Sequence, residues 1–337
     1  MEHLHSFYDA LPSASPRAWG PAELSIVLPL AIHWAVALMY ESFDAFGLFQ
    51  QYRLLQPDEY RKNKVTKLEV VRGVLVNQAI IVVVGWIGLA LEPGLNDQKP
   101  GDPFGITQEA VRAITDSKDV AQSPVLTSLA HSILAAARIV AALFVYDTWQ
   151  YWVHLALHMR WAYSQFASRF CRLINHLLRG REHFDADWRT PGHSERIHIW
   201  HHLLNAPWSY AATYVHPFES FLLDALGPAF TCVFVGLTAW ERVAVFTLSV
   251  LKTLDDHSGY RFPWDPIIFI GGLTGSDIVY HTVHHQSWGV KSNYALWFTF
   301  WDRMMGTIYN GPKSLNLTPQ FAEFRAVRKI AKTEHVE

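Results

Sequence analysis

The chain has 337 residues, half of them hydrophobic and 14% aromatic, with only 17% charged. Soluble domains carry about 25% charged residues, so this balance points to a membrane protein with a substantial polar portion. A net charge of −2 supplies no global basic field and argues against nucleic acid as a partner. The two cysteines, Cys171 and Cys232, lie far apart and offer neither a disulfide framework nor a thiolate metal site.

The N-terminal tail, residues 1–23, is polar and mixed. It lacks a basic stretch followed by an apolar one, so no cleaved signal peptide is expected. A transmembrane region is predicted over 24–146, since a bilayer-spanning helix needs about 20 apolar residues. Its segments are roughly 24–43, 70–91 and 125–146, the last running on towards His154. Two shorter apolar stretches, near 221–237 and 243–254, meet at "TAWER" and read as a membrane hairpin over 221–254. Loop charge sets the orientation. Arg53, Arg61, Lys62, Lys64, Lys67 and Arg72 crowd 52–72, whereas 92–124 carries only Lys99, Arg112 and Lys118 as basic residues. The first loop is therefore expected in the cytosol, the second in the lumen with the N-terminal tail, and the chain beyond 147 back in the cytosol. The cytosolic tail is 313–337. No repeat of solenoid period and no low-complexity tract interrupts this plan.

Histidine is the unusual residue, with 18 copies. "HLALH" supplies His154 and His158, "HIWHH" supplies His198, His201 and His202, and "HTVHH" supplies His281, His284 and His285. Residues three or four apart share a helix face, so each cluster can aim several imidazoles at one point. By chance an HxxHH pattern is expected about 0.05 times in such a chain, and it occurs twice. Neutral imidazoles suit a borderline transition metal such as iron, zinc or copper, not calcium or magnesium. A single zinc takes about four ligands, so this set exceeds one ion's needs and implies two. His257, in "KTLDDHSG", joins as a ninth candidate, and His216, in "VHPFES", balances evenly between ligand and helix-end residue. Asp255, Asp256 and Asp277 are candidate outer carboxylates that orient ligand imidazoles. Isolated histidines read otherwise: His33 and His131 as packing residues within spans, His3, His5, His176, His183, His193 and His335 as surface or tail residues.

These clusters and their order resemble the fatty acid hydroxylase/sterol desaturase superfamily, and "LKTLDDHSGY" with "HHQSWGVKSNY" resembles its sphinganine C4-hydroxylase branch. The likeness covers roughly 141–309. It implies an all-α fold: a polytopic membrane helical bundle with a cytosolic histidine-rich di-metal catalytic cap, the catalytic region spanning 147–312. It also implies a non-haem centre of two iron ions that uses O2 to hydroxylate a sphingoid lipid, either sphinganine or dihydroceramide, at C4. Electrons would come from an external cytochrome b5 and its NAD(P)H-dependent reductase, because the sequence holds no HPGG haem segment, no CxxCH and no GxGxxG of its own. The implied location is the endoplasmic reticulum membrane, with membrane lipid around the spans. Aromatic residues Trp149, Tyr151, Trp152, Trp200, Trp288 and Tyr294 either line the boundary of an apolar substrate groove or, for most of them, form an interfacial aromatic belt. Two departures stand out. Leu155 replaces the arginine that commonly follows the first histidine, and 159–197 is longer than the pattern requires, which implies an insertion near 160–192. Sterol desaturase, sterol methyl oxidase and fatty acid 2-hydroxylase remain alternatives within the same chemistry, and a membrane metal transporter is the alternative from another class.

Overall fold

The structure, a computed structural model, describes residues 19–95, 124–159, 198–319 and 321–322. The proposed insertion near 160–192 and most of both tails lie outside these residues. Helix α1 spans Pro21–Ala45, α2 Lys67–Leu91 and α3 Pro124–Leu157. Short α4, Ile199–His202, is followed by α5, Pro217–Ser220, which runs through a π-helical stretch at Phe221–Leu226 into α6, Gly227–Val235. Helices α7, Ala239–Asp256, α8, Pro266–Thr274, α9, Ile278–His285, and α10, Phe300–Met305, complete the bundle. Among the described residues extended pairing is limited to isolated bridges such as Arg53 with Tyr260. The fold is all-α.

Helix starts follow local chemistry. Thr66 and Thr238 each accept a hydrogen bond from the backbone three residues on, while Glu69 and Glu241 reach back to the cap. These reciprocal pairs satisfy donors that a helix N-terminus leaves open. Pro21, Pro217 and Pro266 occupy first positions, where a missing N–H costs nothing. Between α6 and α7 the chain turns on Gly236 at φ 66°, a left-handed conformation that glycine adopts without a Cβ clash.

Four helical stretches have the length and apolarity to cross a membrane: Pro21–Ala45, Lys67–Leu91, Ser132–Leu157 and Pro217–Val235. Leu38, Leu75, Val83, Ile133, Val140 and Val233 project outward from them, as lipid-facing side chains would. The second arm of the predicted hairpin is different in kind. Helix α7 carries Glu241, Arg242, Lys252, Asp255 and Asp256, all buried, and packs along α1 in the most extensive helix pairing of the bundle. Its charges are met inside the protein. Arg138 on α3 pairs with Glu241 at 2.6 Å and also donates to the Gly236 carbonyl at 2.8 Å; Lys252 pairs with Asp256. Asn77 of α2 donates to the carbonyls of Thr213 and Val215, both at 2.8 Å, and so fixes the segment ahead of α5.

Removing one member of a buried ion pair strands the other. Glu241→Ala is therefore expected to destabilise the purified protein by about 3 kcal/mol, read as a lowered melting temperature in detergent. The double change Arg138→Met with Glu241→Leu should cost less than Glu241→Ala alone.

Candidate metal centre

Three helix ends and one cap deliver the histidines. His154 and His158 lie on one face at the C-terminal end of α3. His198 leads into α4, which carries His201 and His202; α9 carries His281, His284 and His285, and His257 caps α7. Two sets form, each with ligand-capable atoms within 4.8 Å of one another: His154, His158, His198, His202 and His284, then His201, His257, His281 and His285. Both HxxHH clusters are split between the sets. The structure thus brings together the eight histidines of the three clusters and His257. His216 falls in neither set; its Nδ1 instead accepts from the Phe218 backbone at the start of α5, and its ring meets Trp200 edge-on.

Within the first set, Nε2 of His198 is 2.8 Å from Nε2 of His154 and 2.9 Å from that of His202. Within the second, Nε2 atoms of His257, His201, His281 and His285 approach at 3.2–3.3 Å. Imidazole nitrogens at about 2.0–2.1 Å from one ion sit roughly 2.8–3.4 Å apart for bond angles between a right angle and tetrahedral. Nε2 atoms of His158 and His284 are buried and, among the described residues, without a partner, which is the expense that a metal bond would remove. The residues fit two ions.

What aims the rings is their other nitrogen. Nδ1 donates to the carbonyl of Tyr294 from His154 (3.1 Å), of Tyr214 from His201 (3.3 Å) and of Thr253 from His257 (2.7 Å). Nδ1 of His284 donates to Ser292 (2.6 Å) and that of His285 to Leu204 (2.9 Å). His198 alone among these uses a carboxylate, Glu219 on α5, at 2.5 Å. Such bonds fix the tautomer and leave Nε2 as the electron-pair donor. Burial, reinforced by the neighbouring imidazoles, holds His198, His202, His281, His284 and His285 far below the usual histidine range, and brings His158 down to about 2. Burial likewise lowers His201 to about 4. Neutral imidazole is the ligating form.

The three aspartates expected around the ligands make their described bonds elsewhere. Asp255 accepts from the Tyr40 hydroxyl, Asp256 pairs with Lys252, and Asp277 caps α9 at Tyr280 N while holding Arg261 at 3.0 Å. Sequence reasoning did not connect Glu219 with His198, and it missed two aspartates that hold the loop after α9. Asp147 of α3 accepts from the backbone of Leu296, Trp297 and Phe298 at 2.7–3.2 Å; Asp302 accepts from Tyr294 N, Ala295 N and the Tyr280 hydroxyl. Together they place the carbonyl that His154 needs. The only signal in the sequence was their position inside otherwise apolar runs. Gly289 explains part of the "HHQSWGVKSNY" wording, because a Cβ there would lie 2.0 Å from the Val283 carbonyl.

Two hollows flank this centre. A chamber of about 90 Å³ is bordered by His154, His198, His201, His257 and His281 on one side and by Tyr146, Gln150, Glu219, Asp224 and Tyr294 on the other. A separate apolar groove of about 770 Å³ lies between α3 and α6, lined by Phe144, Trp149, Trp152, Phe230, Phe234 and Trp301 among others. Of the aromatic residues expected at a groove boundary, Trp149 and Trp152 line the groove and Tyr294 the chamber. Tyr151 is instead buried against Trp301.

The model of the family described as fatty acid hydroxylase matches residues 139–307. The chain belongs to the fatty acid hydroxylase family. Across most of its length it is similar to the sphingolipid C4-hydroxylases of Schizosaccharomyces pombe, 33% identical over 88% of this chain and 91% of that one, and of Saccharomyces cerevisiae, 29% identical over 93% and 81%. It is also 31% identical to sphinganine C4-monooxygenase 2 of Arabidopsis thaliana, over 84% of this chain and 86% of that one. No solved structure matches.

Two outcomes follow from the ring anchors. Glu219→Gln should loosen His198 and lower metal affinity about tenfold or more, measured as ions retained against a competing chelator. In the metal-free protein the histidines titrate lower when folded than unfolded, so their contribution is fully present above about pH 6.5. It falls as acid is taken up between there and about pH 4, the value for His201. The melting temperature should be flat above that window and drop through it.

Proposed function

We propose that the chain is a membrane-bound di-iron monooxygenase that hydroxylates C4 of a long-chain sphingoid base or its ceramide. The observation that carries this reading is the pair of interleaved imidazole sets, with a small chamber beside them and an apolar groove between α3 and α6. The similarity to three sphingoid C4-hydroxylating relatives over most of the chain adds the substrate class.

In this reading His154, His158, His198, His202 and His284 hold one iron and His201, His257, His281 and His285 the other. The two ions would supply the redox capacity to use O2 in oxidising an unactivated C–H bond, which zinc lacks. The chain's own residues do the rest. Carbonyl and Glu219 acceptors keep each Nε2 aimed, so little reorganisation is needed when the ligands engage. The aromatic groove takes the alkyl tail, where each buried methylene contributes about 0.8 kcal/mol. The chamber's small volume limits water near the reacting carbon and suppresses side reactions.

Orientation follows from packing and loop charge. The basic loop between α1 and α2 lies directly on the second histidine cluster: Lys64 N donates to the Leu203 carbonyl at 2.8 Å, and Asn205 donates to Glu59 at 2.8 Å. A positively charged loop faces the cytosol, so the centre faces it as well, where cytochrome b5 and its reductase would deliver electrons. We assign the endoplasmic reticulum membrane as its site, on the ground of its lipid chemistry.

Expression in a host that lacks its own C4 hydroxylase tests the proposal. Sphingolipid profiles should gain 4-hydroxylated long-chain bases, and His284→Ala at equal membrane abundance should abolish the gain. An unchanged profile with the wild-type protein present in the membrane would reject the substrate, and metal analysis showing other than about two irons per chain would reject the centre.

A further inference from the structure

The chamber beside the histidines contains more acid than the metal ligands use. Glu219 is fully buried and borders the chamber; its Oε1 holds His198, while Oε2 has no hydrogen-bond partner among the described residues. Asp224, one turn further along the π-helical stretch, borders the same space. Its described partner is the Ser220 hydroxyl at 3.0 Å, and no lysine or arginine among the described residues pairs with it. Asp224 is half-buried and Glu219 fully buried; a carboxylate held away from water without a counter-charge is costly, and it calls for a cation or a strong donor from outside.

The backbone around this point is built to hold these two acids in place. The π turn bonds five residues on, Gly227 N donating to the Leu222 carbonyl, and α3 adds further donors: Trp149 Nε1 donates to the Leu222 carbonyl and Gln150 Nε2 to that of Leu223, each at 3.0 Å. Consecutive residues are thereby split between the hollows, Leu222 facing the apolar groove and Leu223 with Asp224 the chamber. A ligand with a polar head and one long tail matches that division. Size narrows the head further. The chamber, about 90 Å³ against about 770 Å³ for the groove, suits the smaller polar end of such a ligand.

We propose that the chamber is the seat of a primary ammonium group, with Asp224 as its counter-ion and the free oxygen of Glu219 as a second acceptor. The inference rests on the sphingoid reading above and sharpens it: the nitrogen of a free long-chain base sits on C2, a near neighbour of the carbon to be oxidised, so both must enter the same small space. An N-acylated base carries an amide there, with no charge to match Asp224 and a second chain to accommodate. Asp224 is thus a specificity-determining residue for the free base.

The test uses the full-length protein in nanodiscs of neutral phospholipid, with octadecylamine and octadecanol as unreactive probes. The wild type should bind the amine about tenfold tighter than the alcohol, as a charge-assisted hydrogen bond implies, and Asp224→Asn should erase the preference. Equal binding of the two probes by the wild type, which does not depend on any variant folding, would overturn the proposal, and so would a preference that survives in Asp224→Asn. In turnover, the wild type should favour sphinganine over dihydroceramide, and a preference for dihydroceramide would also overturn it. Amine preference that depends on Asp224, found with no C4 hydroxylation of either lipid, would support the ammonium site and reject the hydroxylase reading.

Discussion

Everything at the centre depends on a hydrogen bond at the far side of each ring. An imidazole ligates through one nitrogen only while the other is held as a donor, and a crowded buried set cannot tolerate a charged member. Six of the nine histidines meet that demand through a hydrogen bond from Nδ1 to an acceptor outside the set: five carbonyls and Glu219. The acceptors come from segments far apart in sequence. The centre is therefore an expression of tertiary packing, and not of three local motifs.

The loop from Ser292 to Phe298 shows what this requires. It offers carbonyls to two rings, and it stays in place because Asp147 and Asp302 gather its amides from either side. Each aspartate is buried and spends its negative charge on backbone donors, an arrangement that stabilises a carboxylate where water is absent. Asp147 sits on the helix that carries His154 and His158, so the first cluster and the loop behind the last are fixed to one rigid element.

Much of this was legible in the residues. Long apolar runs located α1, α2 and α3, and helical spacing located the three clusters, because both signals are properties of contiguous sequence. The ring anchors were not legible: a carbonyl acceptor belongs to any residue type, so Tyr294, Ser292, Leu204 and Thr253 carry no mark of the role. Asp255, Asp256 and Asp277 looked like partners by nearness in sequence to the histidines, yet Lys252, Tyr40 and Arg261 claim their described bonds. Glu219 was not connected with His198 because the two meet only across a fold. The second hairpin arm shows a different limit. Composition flagged its apolar residues, whereas its buried charges are explained only by Arg138 and by the long pairing with α1.

The division of both HxxHH clusters between the two ligand sets has a consequence for how the protein comes to life. His198 and His202 serve one set while His201 serves the other, and His284 parts from His281 and His285 in the same way. No stretch of nascent chain therefore holds a complete ligand set, even though each presents several imidazoles. In the proposed centre, full coordination waits for the last helices to be synthesised and docked against the first. A chain truncated or stalled before α9 holds four of the five histidines of the first set and two of the four of the second, so it completes neither.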